Sequence, residues 1–257
     1  MKFMAKIAVF DSGLGSLSII KSLQKSCKLD IIYFADQKNF PYGTKTDKKL
    51  EEIIKKTIKS LDEKFNPDLI IMGSNTPTII LGIEDKKIIG VNPPLKEAAK
   101  ISKTKNIAVL ATKSLVSSKK FLNYIEKCKL PNQVLIHKIN SSNLIELVES
   151  GKFLTDENYC RKVIRRSLKK IFLQNKIDVA TLSSTHLPFL KTILKSEFPS
   201  VQFIDPADNL SIKICKKIKP ENKQKDSLKI YSSDQTGLFQ KNLIEMGIKK
   251  KIEFFSI

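Results

Sequence analysis

Short apolar runs alternate with helical patterns along the whole chain, and few folds accommodate that alternation. The runs are rich in Ile and Val, as is typical of strands covered on both faces. They predict strands at residues 6–10, 30–34, 68–72, 87–91, 106–110, 133–138, 178–182, 201–204 and 228–231. Apolar spacings of three and four residues predict helices at 17–26, 47–65, 93–103, 117–127, 140–149, 156–174, 186–198, 206–218 and 236–246.

This order of elements predicts an α/β fold with mostly parallel sheets flanked by helices. The 257 residues are about twice the modal domain size of roughly 100–150 residues, so one sheet or two smaller sheets fit equally well. Proline turns at 92–94 and 205–206 each follow a predicted strand and are candidate crossings between lobes. The polar segment 216–227 is expected to be an exposed loop.

Composition excludes several classes of protein. Hydrophobic residues make up 41% of the chain and charged residues 28%, which is unlike a disordered protein. No apolar run approaches the roughly 20 residues needed to span a bilayer, and residues 1–10 show no signal-peptide pattern. The four cysteines are Cys27, Cys128, Cys160 and Cys215. Because they lack CxxC spacing, we expect neither a disulfide framework nor a metal site, and we expect a reducing cytoplasm.

The net charge of +20, from 46 Lys and Arg against 26 Asp and Glu, raises the possibility of nucleic-acid binding. Only three of the basic residues are Arg, however, and Arg is favoured for reading bases and gripping phosphates. The lysines are spread along the chain without interleaved aromatic residues. We therefore interpret the charge as a lysine-rich solvated surface and expect no specific nucleic-acid binding.

Polar clusters follow five predicted strands, at the ends where ligands bind in open α/β sheets. Residues 11–16 (DSGLGS) combine a tight glycine turn with a helix N-terminus, which attracts anions, although a lone GxG also fits a simple turn. Residues 41–43 (PYG) form a rigid turn that presents a phenol, or a surface turn with a packed Tyr. Residues 74–76 (SNT) are good helix caps and neutral donors for a carboxylate.

The last two clusters lie at Thr112 and at residues 184–186 (STH). A lone histidine such as His186 is more often structural than catalytic, and His137 lies in a predicted strand with no polar companions. Ser74 stands where an α/β-hydrolase carries its nucleophile, but the flanking glycines of that motif are missing. A hydrolase using Ser184 and His186 is disfavoured because no oxyanion signature accompanies them.

Taken in order, these motifs resemble the glutamate racemases of the aspartate/glutamate racemase superfamily. Members of that family carry D-S-G, P-Y-G, C-N-T, a threonine-rich loop and C-T-H in this order. The resemblance covers almost the whole chain and extends to residues 91–94 (VNPP), to Glu149, and to residues 231–234 followed by Phe239.

The resemblance implies interconversion of L- and D-glutamate without pyridoxal phosphate or metal, so no cofactor is expected. It implies two similar lobes, residues 1–96 plus 208–257 and residues 97–207, with the ligand cleft between them. The ligand would be glutamate or aspartate, and D-glutamate would feed peptidoglycan synthesis. It also suggests a homodimer.

This chain departs from the family at both catalytic cysteines, which are replaced by Ser74 and Ser184. In the family one thiolate removes the α-proton and a thiol on the opposite face returns one. A hydroxyl is far less acidic than a thiol and needs an adjacent base to act. Asp11 and His186 are the candidate bases, acting directly or through the serines, and Leu115 replaces a substrate-contacting Thr.

We therefore expect racemisation to be weak, altered or lost while ligand binding persists. The substrate-binding positions implied by the resemblance are Ser12, Pro41, Tyr42, Gly43, Asn75, Thr76, Thr112 and Thr185. The alternative is a non-catalytic sensor or partner-binding protein that recognises an amino acid or dicarboxylate on the same fold.

Overall fold

The structure is a computed structural model that describes residues 5–218, 226–234 and 237–257. It divides into two compact units, Met1–Val91 with Ala207–Ile257, and Asn92–Pro206. Each unit contains one sheet, and every strand pair in both sheets is parallel. The structure therefore confirms the α/β fold, and of the two sheet arrangements left open it has two separate sheets.

The elements in chain order are as follows. The strands are β1 (Lys6–Asp11), β2 (Asp30–Ala35), β3 (Leu69–Met72), β4 (Ile88–Gly90), β5 (Asn106–Ala111), β6 (Leu135–Asn140), β7 (Val179–Leu182), β8 (Gln202–Ile204), β9 (Ser227–Ser232) and β10 (Ile252–Phe254). The α-helices are α1 (Leu17–Ser26), α2 (Asp47–Phe65), α3 (Asn75–Leu81), α4 (Leu95–Ile101), α5 (Lys113–Val116), α6 (Lys119–Lys127), α7 (Ser142–Glu149), α8 (Lys152–Thr155), α9 (Glu157–Gln174), α10 (Lys191–Glu197), α11 (Pro206–Ile218) and α12 (Gly237–Glu245). Short 3-10 turns lie at Gln37–Asn39, Tyr42–Thr44 and Leu187–Leu190.

The first unit has the strand order β10-β9-β2-β1-β3-β4. Phe10 of β1 lies opposite Phe34 of β2 and Met72 of β3, and all three side chains are buried. Because the strands are parallel and in register there, the loops that follow β1, β2 and β3 leave the sheet at one edge.

The second unit has the strand order β6-β5-β7-β8. Leu110 of β5 lies opposite Ile139 of β6 and Leu182 of β7, and these residues share a core with helix α9. The loops after β5 and β7, which carry Thr112 and residues 184–186, therefore leave this sheet at one edge.

Helix α2 shows how local sequence produces these elements. Thr46 caps its start, because its Oγ1 accepts a hydrogen bond from the Lys49 N–H at 3.3 Å. The helix ends at Asn66, whose φ of 40° is left-handed. Leu50, Ile54 and Leu61 follow helical spacing and are buried in the core of the first unit.

Four strands and helices lie outside the predicted set: strand β10, helix α3 and the four-residue helices α5 and α8. Strand β10 is a three-residue edge strand with two exposed residues, so it lacks the apolar run by which the other strands are recognised. Helix α3 directly follows β3. Within the segment expected to be a loop, residues 216–218 end α11 and Ser227 begins β9; residues 219–225 lie outside the described residues.

The cysteines correct one expectation. Cys27 and Cys215 form a disulfide across 188 positions of sequence, with their Cα atoms 6.0 Å apart. Sequence spacing carries no information on such a distant pair. The bond also removes the ground on which a reducing compartment was expected. Cys128 and Cys160 are free and buried, and burial raises the pKa of both thiols.

Across the described ranges, every helix is too short or too polar to cross a membrane.

Candidate functional site

The loop after β1 places a buried carboxylate at the edge of the first sheet. Asp11 is 1% exposed, and its Oδ1 accepts a hydrogen bond from the Ser12 N–H at 2.7 Å. The Asp11 carbonyl accepts from the Asp36 N–H at 2.7 Å, which joins the ends of β1 and β2. The Ser12 carbonyl accepts from Gln37 Nε2 at 2.8 Å. Asp11 and Ser12 are therefore held in place by backbone and amide contacts.

Gly73 allows the loops after β1 and β3 to approach each other closely. A Cβ added to Gly73 would lie 2.5 Å from Ser16 Cβ, closer than atoms can pack. The next residue, Ser74, is half-buried and begins α3 without a side-chain cap. Its hydroxyl makes no hydrogen bond with any residue that the structure describes.

Asn75 presents an unsatisfied acceptor at the same edge. Its Nδ2 donates to the Val91 carbonyl at 2.9 Å, whereas its Oδ1 is buried without a hydrogen-bond partner in the described chain. A buried polar atom left without a partner costs about 1–3 kcal/mol. A ligand ammonium or hydroxyl group that donated to Oδ1 would remove this cost. The neighbouring Thr76 is also buried.

The turn after β2 is organised by Asp36, which the sequence reading did not assign a role. Tyr42 is buried, and its hydroxyl donates to Asp36 Oδ2 at 3.0 Å. Asp36 also accepts from Asn39 Nδ2 at 2.9 Å and from Ser233 Oγ at 2.9 Å. Burial raises the pKa of Tyr42 well above its ordinary value, and the charges of Asp36 and Asp11 raise it further. The phenol is therefore a neutral donor.

Pro41 and Gly43 flank Tyr42 in this turn. Pro41 is exposed and follows a cis peptide bond from Phe40, while Gly43 is half-buried. Asp36 could have been suspected from sequence, because it directly follows a strand. Nothing local, however, indicates that its carboxylate holds the Tyr42 phenol.

In the second unit, the loop after β5 is shaped by a helix cap. Thr112 Oγ1 accepts from the Leu115 N–H at 3.3 Å and lies 3.1 Å from Ser114 Oγ. Thr112 thus caps α5. Leu115 is fully buried.

The loop after β7 carries a chain of three polar side chains. Ser184 Oγ lies 3.3 Å from His186 Nδ1, and His186 Nε2 is hydrogen-bonded to Glu149 Oε1. Ser184 and His186 are both buried, as is Thr185 between them. A carboxylate only accepts hydrogen bonds, so Nε2 carries the proton and Nδ1 presents its lone pair to the serine hydroxyl. This arrangement makes His186 a base aimed at Ser184.

Glu149, at the end of α7, lies outside the set of predicted site residues, although the family resemblance extends to its position. Its hydrogen bond with His186 depends on how α7 packs against the 3-10 turn Leu187–Leu190, which local sequence does not indicate. The other histidine, His137, lies in the edge strand β6, and its Nε2 donates a hydrogen bond to Asn106 Oδ1 at 2.9 Å. Burial lowers the pKa of His137.

The predicted site residues thus fall into two groups. Asp11, Ser12, Pro41, Tyr42, Gly43, Ser74, Asn75 and Thr76 follow neighbouring strands of the first sheet, and Thr112, Ser184, Thr185 and His186 follow neighbouring strands of the second. In the described part of the chain, no three His, Cys, Asp or Glu side chains gather as metal ligands would.

Comparisons with known proteins agree with this architecture. The glutamate racemase of Leptospira borgpetersenii is 34% identical over 211 residues, covering 80% of this chain and 79% of that protein. The glutamate racemase of Clostridium perfringens strain SM101 is 29% identical over 257 residues, covering 97% and 96%. No family model matches the chain.

Among solved structures, the Escherichia coli glutamate racemase in complex with L-glutamate and the activator UDP-MurNAc-Ala has a TM-score of 0.85 at 22% identity, covering 99% of each chain. The Campylobacter jejuni glutamate racemase has a TM-score of 0.73 at 26% identity, covering 96% of this chain and all of that one. The parallel α/β architecture of this chain is thus also found in solved amino-acid racemases. Within that class, this chain belongs to the glutamate racemase family.

Proposed function

We propose that this protein binds glutamate or aspartate between lobes formed by residues 1–96 plus 208–257 and residues 97–207, and that its racemisation is weak or altered. Family membership supports glutamate as the ligand class and D-glutamate for peptidoglycan precursors as the family product. One observation carries the doubt about chemistry: both positions that bear the reacting thiols in the family bear hydroxyls, Ser74 and Ser184. A homodimer and a cytoplasmic location stay predictions.

Binding and chemistry depend on different groups. An ammonium can be held by Asn75 Oδ1, which has no hydrogen-bond partner in the described chain, and a carboxylate by backbone N–H groups, none of which needs a thiol. Proton transfer at Cα needs groups of near-neutral acidity. A positioned general acid or base contributes about 10²–10⁴-fold to rate, so loss of both thiols should remove most of the turnover and leave affinity.

Two measurements test this proposal. Calorimetry with L- and D-glutamate should show binding at millimolar ligand or below, and absence of heat with both enantiomers would contradict the proposed binding.

Circular dichroism should detect racemisation at least ~100-fold faster in the Ser74→Cys/Ser184→Cys variant than in the wild type. The control is Ser117→Cys/Ser196→Cys, which adds two thiols at exposed positions. Brisk wild-type racemisation would show the doubt about chemistry to be wrong.

The second candidate is a non-catalytic sensor of an amino acid or dicarboxylate. Two groups favour it, because they could bind ligand and have no hydrogen-bond partner among the described residues: the Ser74 hydroxyl and the buried Oδ1 of Asn75. A sensor would bind ligand with no hydrogen exchange at Cα. X-ray scattering with and without glutamate would then show a ligand-dependent compaction as its output.

A further inference from the structure

The two serines at the catalytic positions differ in what surrounds their hydroxyls. Ser184 Oγ lies 3.3 Å from His186 Nδ1, and the opposite ring nitrogen is hydrogen-bonded to Glu149. Ser74 Oγ has no hydrogen-bond partner among the described residues. One hydroxyl is therefore hydrogen-bonded to a base, whereas the other makes no such bond in the described part of the chain.

The groups near Ser184 are arranged to move a proton. Glu149 accepts from Nε2, which leaves the Nδ1 lone pair facing the hydroxyl and stabilises the imidazolium that forms when Nδ1 takes up a proton. An adjacent base is what a serine hydroxyl needs to become reactive. Ser184 and His186 are also buried, so water competes little with these contacts.

The loops of the first unit offer a weaker proton acceptor. The buried acidic residues of these loops are Asp11, whose Oδ1 accepts the Ser12 N–H at 2.7 Å, and Asp36, which accepts from Tyr42, Asn39 and Ser233. An aspartate carboxylate is intrinsically a weaker base than an imidazole, with ordinary pKa values of about 3.9 and 6.5. The two sides are therefore unequal in basicity.

We propose that this protein transfers a proton at Cα on the Ser184 side only, so that it exchanges the α-hydrogen of one enantiomer of its acidic amino acid with retention of configuration. This inference rests on the proposed function, in which each serine serves one face of Cα. It adds an activity, stereospecific hydrogen exchange without racemisation, and it assigns that activity to Ser184, His186 and Glu149.

The step balances without any co-reactant. The Cα–H bond breaks, its electron pair stays on Cα and spreads into the neighbouring carboxylate, and the proton passes to Ser184 Oγ as the hydroxyl proton moves to His186 Nδ1. The proton now on Ser184 Oγ exchanges with solvent, and a solvent-derived proton then returns from Oγ to Cα as Nδ1 gives its proton back to Oγ. Because it arrives on the face from which the first proton left, the configuration is kept.

The test is exchange in D₂O with each enantiomer of glutamate separately, measured by loss of the α-proton signal in NMR and by chiral chromatography. We expect one enantiomer to exchange at least ~100-fold faster than the other, with no interconversion. Equal exchange of both enantiomers, or exchange accompanied by racemisation, would overturn the inference. Calorimetry on the same samples separates the two proposals: binding with no exchange overturns this inference alone, and no binding overturns both.

Single substitutions sharpen the test. Ser74→Cys supplies an acid on the second face and should convert retentive exchange into racemisation, whereas Ser184→Cys alone should not. Ser117→Cys, an exposed position, is the matched control. If Ser74→Cys left the exchange fully retentive, the assignment of the second face to residue 74 would be wrong.

Glu149 is a positioning residue and needs its own readout. Glu149→Gln should lower the exchange rate about 10–100-fold, with the glutamate dissociation constant unchanged, and Glu149→Asp should recover part of the rate. Glu146→Gln, one turn earlier on the same helix and exposed, is the control. A parallel loss of affinity and rate would indicate a merely structural role and contradict the assignment.

Discussion

At the scale of single residues, the best-defined feature is the contact between Tyr42 and Asp36. The phenol is one of three side-chain donors to this buried carboxylate, together with Asn39 and Ser233. A buried carboxylate is costly unless its oxygens are hydrogen-bonded. Asp36, which lies outside residues 41–43, therefore stabilises the turn that carries Tyr42.

Tyr42→Phe should therefore lower the free energy of unfolding by about 1–3 kcal/mol, because Asp36 loses a donor and stays buried. Urea unfolding at pH 7 measures this change. Tyr159→Phe removes a hydroxyl from an exposed side chain and should change stability little. Equal effects of the two substitutions would mean that the Asp36 contact contributes nothing.

The raised pKa of Tyr42 also predicts a pH dependence. Burial and the nearby carboxylates keep the phenol neutral in the folded state above its ordinary pKa of about 10. The unfolded state therefore loses this proton first, so stability is complete below pH ~10 and falls as the pH rises toward the folded pKa. The wild type should lose stability in this window faster than Tyr42→Phe. Parallel pH curves for the two proteins would contradict the prediction.

At the scale of elements, a carboxylate at the start of a strand fixes a neighbouring loop through hydrogen bonds. Asp178, directly before β7, accepts hydrogen bonds from Ser102 Oγ at 2.7 Å, from the Lys103 N–H at 2.6 Å, and from the Thr104 N–H and hydroxyl at 3.0 and 2.9 Å. Burial raises the pKa of Asp178, but these donors outweigh it and hold the pKa below its ordinary value. This carboxylate joins the end of α4 to the sheet.

Asp178→Asn should cost about 1 kcal/mol of unfolding free energy at pH 7, since the site is partly solvated. Because the folded pKa is lowered, this contribution is present above the unfolded pKa of about 3.9 and disappears as the pH falls through the folded value. Chemical unfolding of both proteins between pH 2 and 7 measures it. Glu126→Gln, at an exposed position of α6, is the control. A difference that persisted at pH 2 would contradict this account.

At the scale of the whole molecule, the disulfide joins distant parts of the chain within the first unit. Cys27 follows α1 and Cys215 lies in α11, and Ser22 and Ser26 of α1 both contact the Ser211 hydroxyl of α11 at 3.0 Å. A cross-link between residues so far apart in sequence restricts the unfolded chain strongly. The bond and the serine contacts together attach the returning C-terminal segment to the first helix.

Thiol titration in denaturant without reductant should detect two thiols, and after reduction four. Reduction should lower the free energy of unfolding by about 2–4 kcal/mol, and Cys27→Ser should abolish that sensitivity to reductant. Cys160→Ala removes a buried free thiol and should leave the sensitivity unchanged. Four thiols before reduction would show that the bond does not form in solution.

Most of the fold follows from local sequence. Strands β1 to β9 fall within a residue or two of the predicted runs. The clearest of these runs belong to buried strands such as β3, because strands covered on both faces are continuously apolar. Strand β10 was missed because it is a short and exposed edge strand. Helix α3, with Pro77 in its third position, lacks a clear amphipathic pattern.

The sequence by itself determined the order of elements, the loops that carry the polar clusters and the presence of serines at positions 74 and 184. These are properties of residue type and spacing. Only the tertiary structure shows the hydrogen bonds of Glu149 with His186 and of Asp36 with Tyr42, and the disulfide between Cys27 and Cys215. The contact in each pair depends on how whole helices, strands and turns pack together. Residue propensity and hydrophobic periodicity are local properties, so they do not indicate which distant residues lie close in space.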